Sequence, residues 1–343
     1  MIAAVSVLSL RGSKASQVTK QPLHDQQNGN LLLWNGELFA SDLIKVEPNE
    51  NDGFKIFLKL NESNTQKDIL HTLESIKGPF AFVYYEKSSN QVYFGRDRLG
   101  RRSLLINSNR DGNSSLIMLT SVQIGLDDVT FKNEFNELRA SAIYSLDLNK
   151  LPFCLNLHFW KKINETNILM NDEQLRQNFP YNIQLFISEL SLTDSISEFN
   201  ENFNISKDES KFRRLVDDFY DKLKESVMKR VKNLPNYCKQ CSQQNHMKFS
   251  TDGSFRCEHS KVAVLFSGGV DSAVLAAMVD LCLPADEPID LLNIAFENQK
   301  KSNENKDDFL VPDRISGIEA LKELNPARKW NFVEINVKLD ELR

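Results

Sequence analysis

Residues 262–272, VAVLFSGGVDS, place a double glycine between an apolar run and an acidic–hydroxyl pair. The run 262–266 is continuously apolar, which predicts a strand covered on both faces. The two glycines let the backbone turn tightly and come close to a ligand. Asp271 and Ser272 then open a predicted helix. A loop at the carboxyl end of such a strand is where open α/β sheets bind their ligands.

This loop has the chemistry of a phosphate site. The N–H groups at the start of the helix, together with the helix dipole, favour an oligophosphate, and the Ser267 and Ser272 hydroxyls can donate further hydrogen bonds. Asp271 alone would repel phosphate, so the pattern implies a Mg²⁺ ion with Asp271 as its ligand. The alternative is a glycine-rich turn with Asp271 as a helix cap, but the complete SGGxDS pattern favours the phosphate site. No GxxxxGK[ST] is present, so this is not the loop that holds a γ-phosphate with lysine.

Strand and helix patterns alternate after the loop. We predict helices over 271–281 and 314–324, strands over 289–296 and 330–337, and a polar insert over 297–310. This alternation indicates a parallel α/β sheet. The predicted helix over 271–281 carries an apolar face of Val274, Leu275, Met278 and Val279.

A long amphipathic helix is predicted before the loop. Ser206 and Glu209 have capping-box spacing. Its apolar residues recur at helical intervals: Phe212, Leu215, Phe219, Leu223, Val227 and Val231. Residues 236–260 are predicted to form a loop, and the Asn-, Ser- and Glu-rich residues 161–207 an irregular connection.

The first 150 residues are predicted to be mostly strand. Residues 31–34 are apolar and lead into Asn35-Gly36, while 79–95 has the pattern of a hairpin. Two helices are predicted between them, one with Phe54, Phe57 and Leu58 on its apolar face and one with Ile69, Leu73 and Ile76. Strands and helices in separate blocks favour an α+β or sandwich layout.

Two polar positions in this first part are candidate site residues. The Asn35 side-chain amide beside the Gly36 N–H can supply the two donors of an oxyanion hole. Asp52 could hold the amino group of an amino acid. A hairpin turn at Asn35-Gly36 and a helix N-cap at Asp52 are the structural alternatives, and they stay open on these residues alone.

Composition limits the class of protein. The chain has 343 residues with 41% hydrophobic residues, enough for two domains with their own cores. The net charge of −5 argues against nucleic acid as a partner, and no apolar run reaches membrane-span length. An odd number of cysteines (five) argues against a disulfide framework and favours a reducing compartment, so we expect a cytoplasmic protein. The apolar start MIAAVSVLSL is interpreted as a strand rather than a signal peptide.

Several ordered motifs carry a family resemblance. SGGVDS resembles the phosphate loop of ATP pyrophosphatases (the PP-loop superfamily), which make acyl-adenylates. Earlier in the chain, in order, stand Gln21-Pro22, LLLWNGELF, Asp52, GPFAFVYYE and GRDRLGRRSLL. Together with the helix ending KESVMKRV and with Pro312-Asp313, they resemble asparagine synthetases over most of the chain. The insert 297–310, VPDRISGIEALKEL and WNFVEINV resemble a divergent branch of that family.

The resemblance implies a two-part fold. It predicts a class II glutamine amidotransferase domain over 1–155, an α+β sandwich of the N-terminal-nucleophile type. An irregular connection follows over 156–205. Residues 206–343 would then be an incomplete α/β PP-loop domain, similar to adenine nucleotide alpha hydrolases.

The resemblance also implies a reaction, that of a carbon–nitrogen ligase in asparagine biosynthesis. Glutamine is hydrolysed to ammonia, ATP with Mg²⁺ activates aspartate as β-aspartyl-AMP, and ammonia displaces AMP. Carried over by position, Asn35 and Gly36 line the oxyanion hole, and Glu37 and Asp52 bind glutamine. The Leu265 backbone meets adenine. The residues expected at pyrophosphate and Mg²⁺ are Ser267, Gly268, Gly269, Asp271 and Ser272. Glutamine, aspartate and ATP are the expected partners, and a homodimer is left open.

The chain departs from the family pattern at both ends. The amidotransferase nucleophile is an N-terminal Cys, whereas position 2 is Ile2 and the first Cys is Cys154. We therefore predict no glutaminase activity for these residues, and we interpret the chain as a fragment, with a decayed enzyme as the alternative. Two other functions remain open: a non-catalytic scaffold that retains the fold, and another PP-loop amidotransferase of the β-lactam synthetase type.

Two further sequence patterns have no part in the predicted reaction. Cys238, Cys241, Cys257 and His259 have zinc-like spacing in a polar loop, but they match nothing in the resembled family, so metal binding there is left undecided. The cluster of Arg96, Arg98, Arg101 and Arg102 is interrupted by Asp97 and is interpreted as a structural turn or solvated face rather than a nucleic-acid site.

Overall fold

The structure is a computed structural model of the chain. It describes residues 19–47, 50–111, 114–122, 135–150, 154–160, 184–187, 209–232, 234, 238, 240–241, 248–249, 255–297 and 309–342. The described residues fall into two compact units, one within 19–187 and one within 209–342. The apolar start, the Ser206 capping position and most of the insert 297–310 lie outside the described residues.

The first unit is built on a seven-stranded sheet. Its strands are β1 (Leu23–His24), β2 (Leu31–Gly36), β3 (Phe80–Glu86), β4 (Gln91–Arg96), β8 (Ala142–Asp147), β9 (Cys154–Phe159) and β10 (Gln184–Ile187), in the order β1-β2-β3-β4-β8-β9-β10. All neighbours are antiparallel except β9 and β10, which are parallel. A smaller sheet has the order β6-β5-β7, from β5 (Leu105–Asp111), β6 (Ser114–Thr120) and β7 (Asn136–Glu137).

This unit has two cores, one on each face of the large sheet. Helices α1 (Asp52–Asn61) and α2 (Gln66–Ser75) pack through Ile56, Phe57 and Leu73 against Phe80 and Tyr84 of the sheet. On the other face, residues of the two sheets pack together, among them Phe94, Ile106, Tyr144 and Leu157. The predicted α+β sandwich is therefore confirmed for this part of the chain, and the predicted hairpin is β3–β4.

The second unit contains a parallel sheet. Strands β13 (Val262–Leu265), β14 (Ile289–Phe296) and β15 (Trp330–Val337) lie in that order, all parallel. Helices α3 (Glu209–Val231), α4 (Val270–Cys282) and α5 (Pro312–Leu321) accompany them. A short antiparallel pair, β11 (Lys248–Phe249) and β12 (Phe255–Arg256), precedes β13, and a 3-10 helix spans Leu339–Leu342. The predicted alternation of strand and helix is confirmed.

The predicted burial of β13 on both faces is wrong. Val262, Val264 and Phe266 are buried, but Ala263 and Leu265 between them are exposed. The described residues cover only one face of this sheet, so the apolar run is packed on alternate positions. For the same reason the predicted apolar face of α4 is only half used: Met278 and Val279 are buried, whereas Val274 and Leu275 are exposed.

Two other helix faces differ from prediction. Helix α1 buries Ile56, Phe57 and Leu60, while Phe54 and Leu58 are exposed. In α3 only the C-terminal half joins the core, through Val227 and Val231. Its predicted N-terminal contacts, Phe212, Leu215 and Phe219, are exposed. Periodicity identifies the apolar side of a helix, but what packs against that side is decided by other elements.

The predicted connection contains one described strand. β10 lies inside residues 161–207 and pairs parallel with β9, so that part of the connection is not irregular. In contrast, the predicted Ile69, Leu73 and Ile76 face of α2 is confirmed. In the described part of the chain, no helix is long and apolar enough to cross a membrane.

Candidate functional site: the loop of residues 267–272

The candidate site is formed where β13 runs into α4. Gly268 has φ +82°, and a Cβ on it would lie 2.2 Å from the Ser316 carbonyl carbon in α5. Gly269 is the N-cap of α4 and has no side chain to cap the helix. The first N–H groups of α4 therefore have no side-chain cap, as an anion-binding helix start requires.

Hydroxyl and carboxylate groups surround these N–H groups. Ser267 Oγ and Ser272 Oγ lie 3.5 Å apart, and the Gly269 N–H points at Ser267 Oγ at 3.4 Å. Ser272 Oγ donates to the Gly269 carbonyl at 2.9 Å. Asp271 is exposed in the first turn of α4, and Leu265 is 69% exposed at the end of β13. The structure thus brings all predicted phosphate-loop residues together at the carboxyl edge of the sheet.

A buried polar network supports the loop from beneath. Asn293 of β14 is fully buried and donates from Nδ2 to the Phe266 carbonyl at 2.8 Å and the Asp313 carbonyl at 2.9 Å. Arg314 Nε donates to Asn293 Oδ1 at 2.6 Å, and Ser316 Oγ donates to the Ser267 carbonyl at 2.7 Å. These positioning residues were missed from sequence. Asn293 offered one signal, as a polar residue within the apolar run IDLLNIAF.

The donor set suits a nucleotide phosphate with a magnesium ion. Backbone N–H and serine O–H groups bind phosphate oxygens, and a carboxylate oxygen is a ligand that Mg²⁺ accepts while it bridges phosphates. Asp271 carries the carboxylate nearest to the loop in sequence and is accessible. The residues of the loop therefore fit both a nucleotide phosphate and a magnesium ion.

The glutamine-site candidates of the first unit meet at the end of β2. Asn35 is exposed opposite Ala81, and Gly36 lies opposite Phe80 with the Pro79 carbonyl 2.4 Å from where a Cβ would stand. A side chain at position 36 would therefore collide with the backbone before Phe80. The Glu37 N–H donates to the Pro79 carbonyl at 2.9 Å. Glu37 is therefore held beside the residue that precedes Phe80.

Asp52 is tied to this region by its carboxylate. The group is buried and accepts the Leu38 N–H and the Gly53 N–H, both at 2.8 Å. It thus anchors the start of α1 to the segment after Glu37. The helix N-cap alternative for Asp52 is wrong, because Asn51 caps α1 by accepting the Phe54 N–H at 2.9 Å. Binding of glutamine by Asp52 and Glu37 stays a prediction.

Gln21 holds β2 in place from outside the sheet. Its amide oxygen accepts the Trp34 N–H at 2.7 Å, and its Nε2 donates to the Trp34 carbonyl at 2.9 Å. Both backbone groups of the residue before Asn35 are therefore satisfied by one side chain. Gln21 belongs to the Gln21-Pro22 motif, but that motif by itself indicates no role for the side chain.

The arginine-rich segment is a structural turn, as predicted. Asp97 is buried and accepts the Phe80, Leu99 and Arg101 N–H groups at 3.0–3.1 Å. Arg96 is buried and donates to the Arg102 carbonyl at 2.6 Å and the Leu138 carbonyl at 2.9 Å. These charges hold the chain between β4 and β5, so they do not form an open basic surface.

The four residues with zinc-like spacing form a cluster, named here the Cys/His cluster: Cys238, Cys241, Cys257 and His259. Burial raises the pKa of the Cys238 thiol, but hydrogen bonds from Cys241, Cys257 and His259 outweigh it and bring the pKa to about 7. Burial and the neighbouring Cys238 sulfur raise the pKa of Cys241 to about 11.

Comparison with known proteins identifies the relatives of the chain. The glutamine amidotransferase domain family matches residues 8–123. The chain is 32% identical to asparagine synthetase domain-containing protein 1 of Homo sapiens, over 98% of this chain and 60% of that protein. It is 35% identical to the Gallus gallus protein of the same name, over 98% and 61% respectively. Saccharomyces cerevisiae has a relative named asparagine synthetase domain-containing protein YML096W, 27% identical over 98% of this chain and 52% of the relative.

The chain spans about 60% of the length of the vertebrate relatives. Among solved structures, it is similar to a glutamine phosphoribosylpyrophosphate amidotransferase from B. subtilis, with 16% identity, a TM-score of 0.29, and coverage of 42% of this chain and 32% of that one. A second structure, an allosteric regulatory enzyme of purine biosynthesis, has 16% identity and a TM-score of 0.33, covering 43% and 33% respectively.

Proposed function

We propose that this chain, which belongs to the family of asparagine synthetase domain-containing proteins, binds Mg-ATP at residues 267–272 and serves a glutamine-dependent amidation of the asparagine synthetase type. The observation that carries the proposal is the uncapped start of α4 beside two serine hydroxyls and an exposed carboxylate. All of these groups lie at the carboxyl edge of a parallel sheet, where open α/β sheets bind ligands.

Each loop residue has a role in this proposal. The N–H groups of the first α4 turn and the hydroxyls of Ser267 and Ser272 hold the phosphate oxygens of ATP. Asp271 is the ligand that would hold Mg²⁺, which neutralises phosphate charge when bound. The exposed end of β13 at Leu265 offers backbone groups to adenine. Gly268 and the Asn293 network keep the loop in this conformation.

The proposed chemistry is an acyl transfer through an adenylate. The aspartate β-carboxylate attacks the α-phosphorus of ATP and expels pyrophosphate, and ammonia then attacks the acyl carbon and expels AMP. In the first unit, Asn35 and Gly36 are the proposed oxyanion-hole donors, with Glu37 and Asp52 as glutamine-binding residues. Hydrolysis of the bound glutamine needs a Cys nucleophile that these residues do not supply. We propose that the reaction takes place in the cytoplasm.

The phosphate loop is tested by replacing its carboxylate. We expect Asp271→Ala to weaken Mg-ATP binding about tenfold or more, because a metal ligand next to the phosphates is lost, at a cost of about 1.4 kcal/mol or more. Isothermal titration calorimetry of the chain with ATP and Mg²⁺ measures this change. Asp286→Ala is the matched control, because Asp286 is also exposed but precedes β14 at the opposite edge of the sheet. Equal ATP affinities in all three proteins would overturn the loop assignment.

The reaction is tested separately by ATP–pyrophosphate exchange. Exchange that depends on aspartate supports amidation of aspartate. Exchange that depends on a different carboxylate would show that this compound, rather than aspartate, is the substrate, as in another PP-loop amidotransferase. Binding of ATP without any exchange would contradict adenylation and leave a nucleotide-binding scaffold.

A further inference from the structure

The Cys/His cluster belongs to no step of the proposed reaction. From its geometry we propose that Cys238, Cys241, Cys257 and His259 bind one zinc ion, and that this ion holds the segment between α3 and β13 together. The two halves of the site come from opposite sides of the β11–β12 pair, Cys238 and Cys241 before it and Cys257 and His259 after it. The two strands are antiparallel, with Lys248 paired to Arg256 and Phe249 to Phe255. The chain therefore reverses direction between the two halves of the site.

The donor atoms have the spacing of a single coordination shell. His259 Nδ1 lies 3.3 Å from Cys241 Sγ and 3.5 Å from Cys238 Sγ, and all four donor atoms lie within 4.8 Å of one another. With ordinary zinc–ligand bonds, a tetrahedral site separates sulfur from nitrogen by roughly 3.5 Å and sulfur from sulfur by roughly 3.8 Å. The cluster therefore needs only small shifts to close around an ion.

Backbone N–H groups point at the sulfurs. The Cys238 N–H donates to Cys257 Sγ at 3.2 Å, and the Cys241 N–H donates to Cys238 Sγ at 3.4 Å. A neutral thiol is a weak acceptor, whereas such donors stabilise negative charge on sulfur. The turn around Cys238-Lys-Gln-Cys241 is thus shaped to present thiolates, which is the form that binds zinc.

A disulfide explains less of this arrangement. Cys238, Cys241 and Cys257 are all free thiols in the structure. A bond between any two sulfurs of the cluster would leave the third sulfur and the imidazole without a function. Three thiols and one imidazole together form a complete set of four zinc ligands.

Few of the described side chains between α3 and β13 are buried. Among residues 232–261 whose side chains are described, Cys241 is the only buried one. The described secondary structure there consists of two strands of two residues each and the short turn at Cys241. A four-ligand zinc ion would hold the described parts of this connection to one another.

The position of the cluster marks it as structural. Directly after His259, Ser260 Oγ donates to Asp290 Oδ1 at 2.5 Å, and Lys261 pairs with Glu287 at 2.5 Å. These contacts fix the cluster beside the residues that precede β13 and β14, which is the amino edge of the sheet. The phosphate loop follows β13 at the carboxyl edge. Because four protein ligands leave no open coordination position, the ion would hold the fold and take no part in the chemistry.

Metal content and ligand substitution test the proposal. The 343-residue chain, purified under reducing conditions after expression with zinc, should contain about one zinc ion per chain by plasma mass spectrometry. Cys238→Ser and Cys257→Ser should remove nearly all of it. Cys282→Ser is the matched control and should keep it, because Cys282 lies in α4 outside the cluster with its thiol near the Lys224 carbonyl at 3.8 Å.

A second measurement uses the unsubstituted chain in case the variants fail to fold. After zinc removal, Co²⁺ should be bound with the visible d–d and sulfur-to-metal absorption of a tetrahedral thiolate site, and a mercurial reagent should release the zinc. Protein without metal and without this Co²⁺ spectrum would overturn the proposal. Zinc retained at the same stoichiometry in folded Cys238→Ser and Cys257→Ser proteins would overturn it too, as would a disulfide within the cluster in the reduced preparation.

Discussion

At the carboxyl edge of the parallel sheet, the hydroxyls and carboxylate of residues 267–272 lie at the surface beside an uncapped helix start. At the amino edge, charged groups are enclosed and matched. Arg328 is buried, with Nε 2.5 Å from Asp280 Oδ1 and further donors to the carbonyls of Pro284, Glu287, Asp280 and Leu283. The Lys261–Glu287 pair is likewise largely buried.

Under the proposed function, the two edges of the sheet have different roles. Polar groups that the protein itself satisfies at the amino edge close the C-terminal end of α4, where the last carbonyls of a helix need donors. Polar groups exposed at the carboxyl edge are hydrated and remain available to a ligand. Substitutions at the two edges should therefore differ in kind: stability should change at the amino edge and ligand affinity at the carboxyl edge.

The largest effect is expected at the amino edge. Arg328→Ala removes a buried guanidinium from the partly buried Asp280 carboxylate and from several carbonyls, which should lower the free energy of unfolding of the second unit by about 3–5 kcal/mol. Urea unfolding followed by Trp fluorescence measures this loss. Lys222→Ala, which removes an exposed partner of Glu225 at 3.8 Å, is the control and should change stability by about 1 kcal/mol at most. Similar losses in the two variants would remove the distinction between enclosed and exposed charges.

The next effect concerns the glycines of the carboxyl edge. Gly268→Ala places a Cβ 2.2 Å from the Ser316 carbonyl carbon at a residue with φ +82°, and should lower the free energy of unfolding by about 2–4 kcal/mol. Gly269→Ala has φ −68° and only Ser267 Oγ near the added carbon, at 3.5 Å, so it should cost under about 1 kcal/mol. Thermal unfolding of both variants compares them. Equal losses would contradict close packing of the loop on α5.

The smallest effect is expected at Ser316. Ser316→Ala removes the hydrogen bond to the Ser267 carbonyl, so we expect about 0.5–1.5 kcal/mol of lost stability together with weaker ATP binding, because Ser267 is released. Calorimetric titration with Mg-ATP on the folded variant measures the affinity. Ser260→Ala, which breaks a hydrogen bond to Asp290 at the amino edge, should affect stability but leave ATP affinity unchanged. A larger loss of affinity in Ser260→Ala than in Ser316→Ala would contradict the division between the edges.

Much of the second unit followed from local sequence patterns. β14 and β15 have the predicted bounds, since eight-residue stretches that are mostly apolar lie there between polar connections. The candidate phosphate loop could be proposed from sequence because its residues are consecutive, so the chain itself brings them together. The Cys/His cluster was visible as a spacing, but its assembly depends on the β11–β12 pair, which the sequence did not predict.

Other features depend on contacts between distant residues and were missed. Asn293 and Arg314 support the loop from β14 and α5, and Arg328 closes α4 from beyond α5. The exposed N-terminal half of α3 and the alternating burial of β13 were missed for the same reason. A pattern states which side chains are apolar, whereas burial depends on which other element arrives to cover them.

The sequence by itself indicated most of the strands and helices, the family resemblance, and the residues of the candidate phosphate loop, because each of these depends on neighbouring residues. Only the tertiary structure decided which polar side chains stay exposed to solvent and which are hydrogen-bonded within the protein. Asp271 and Asp280 lie nine positions apart at the two ends of α4, and both are acidic residues in a helix. Asp271 is left at the surface beside the loop, while Asp280 is enclosed by Arg328. The difference arises because Arg328 is distant from Asp280 in sequence but packs against it in space.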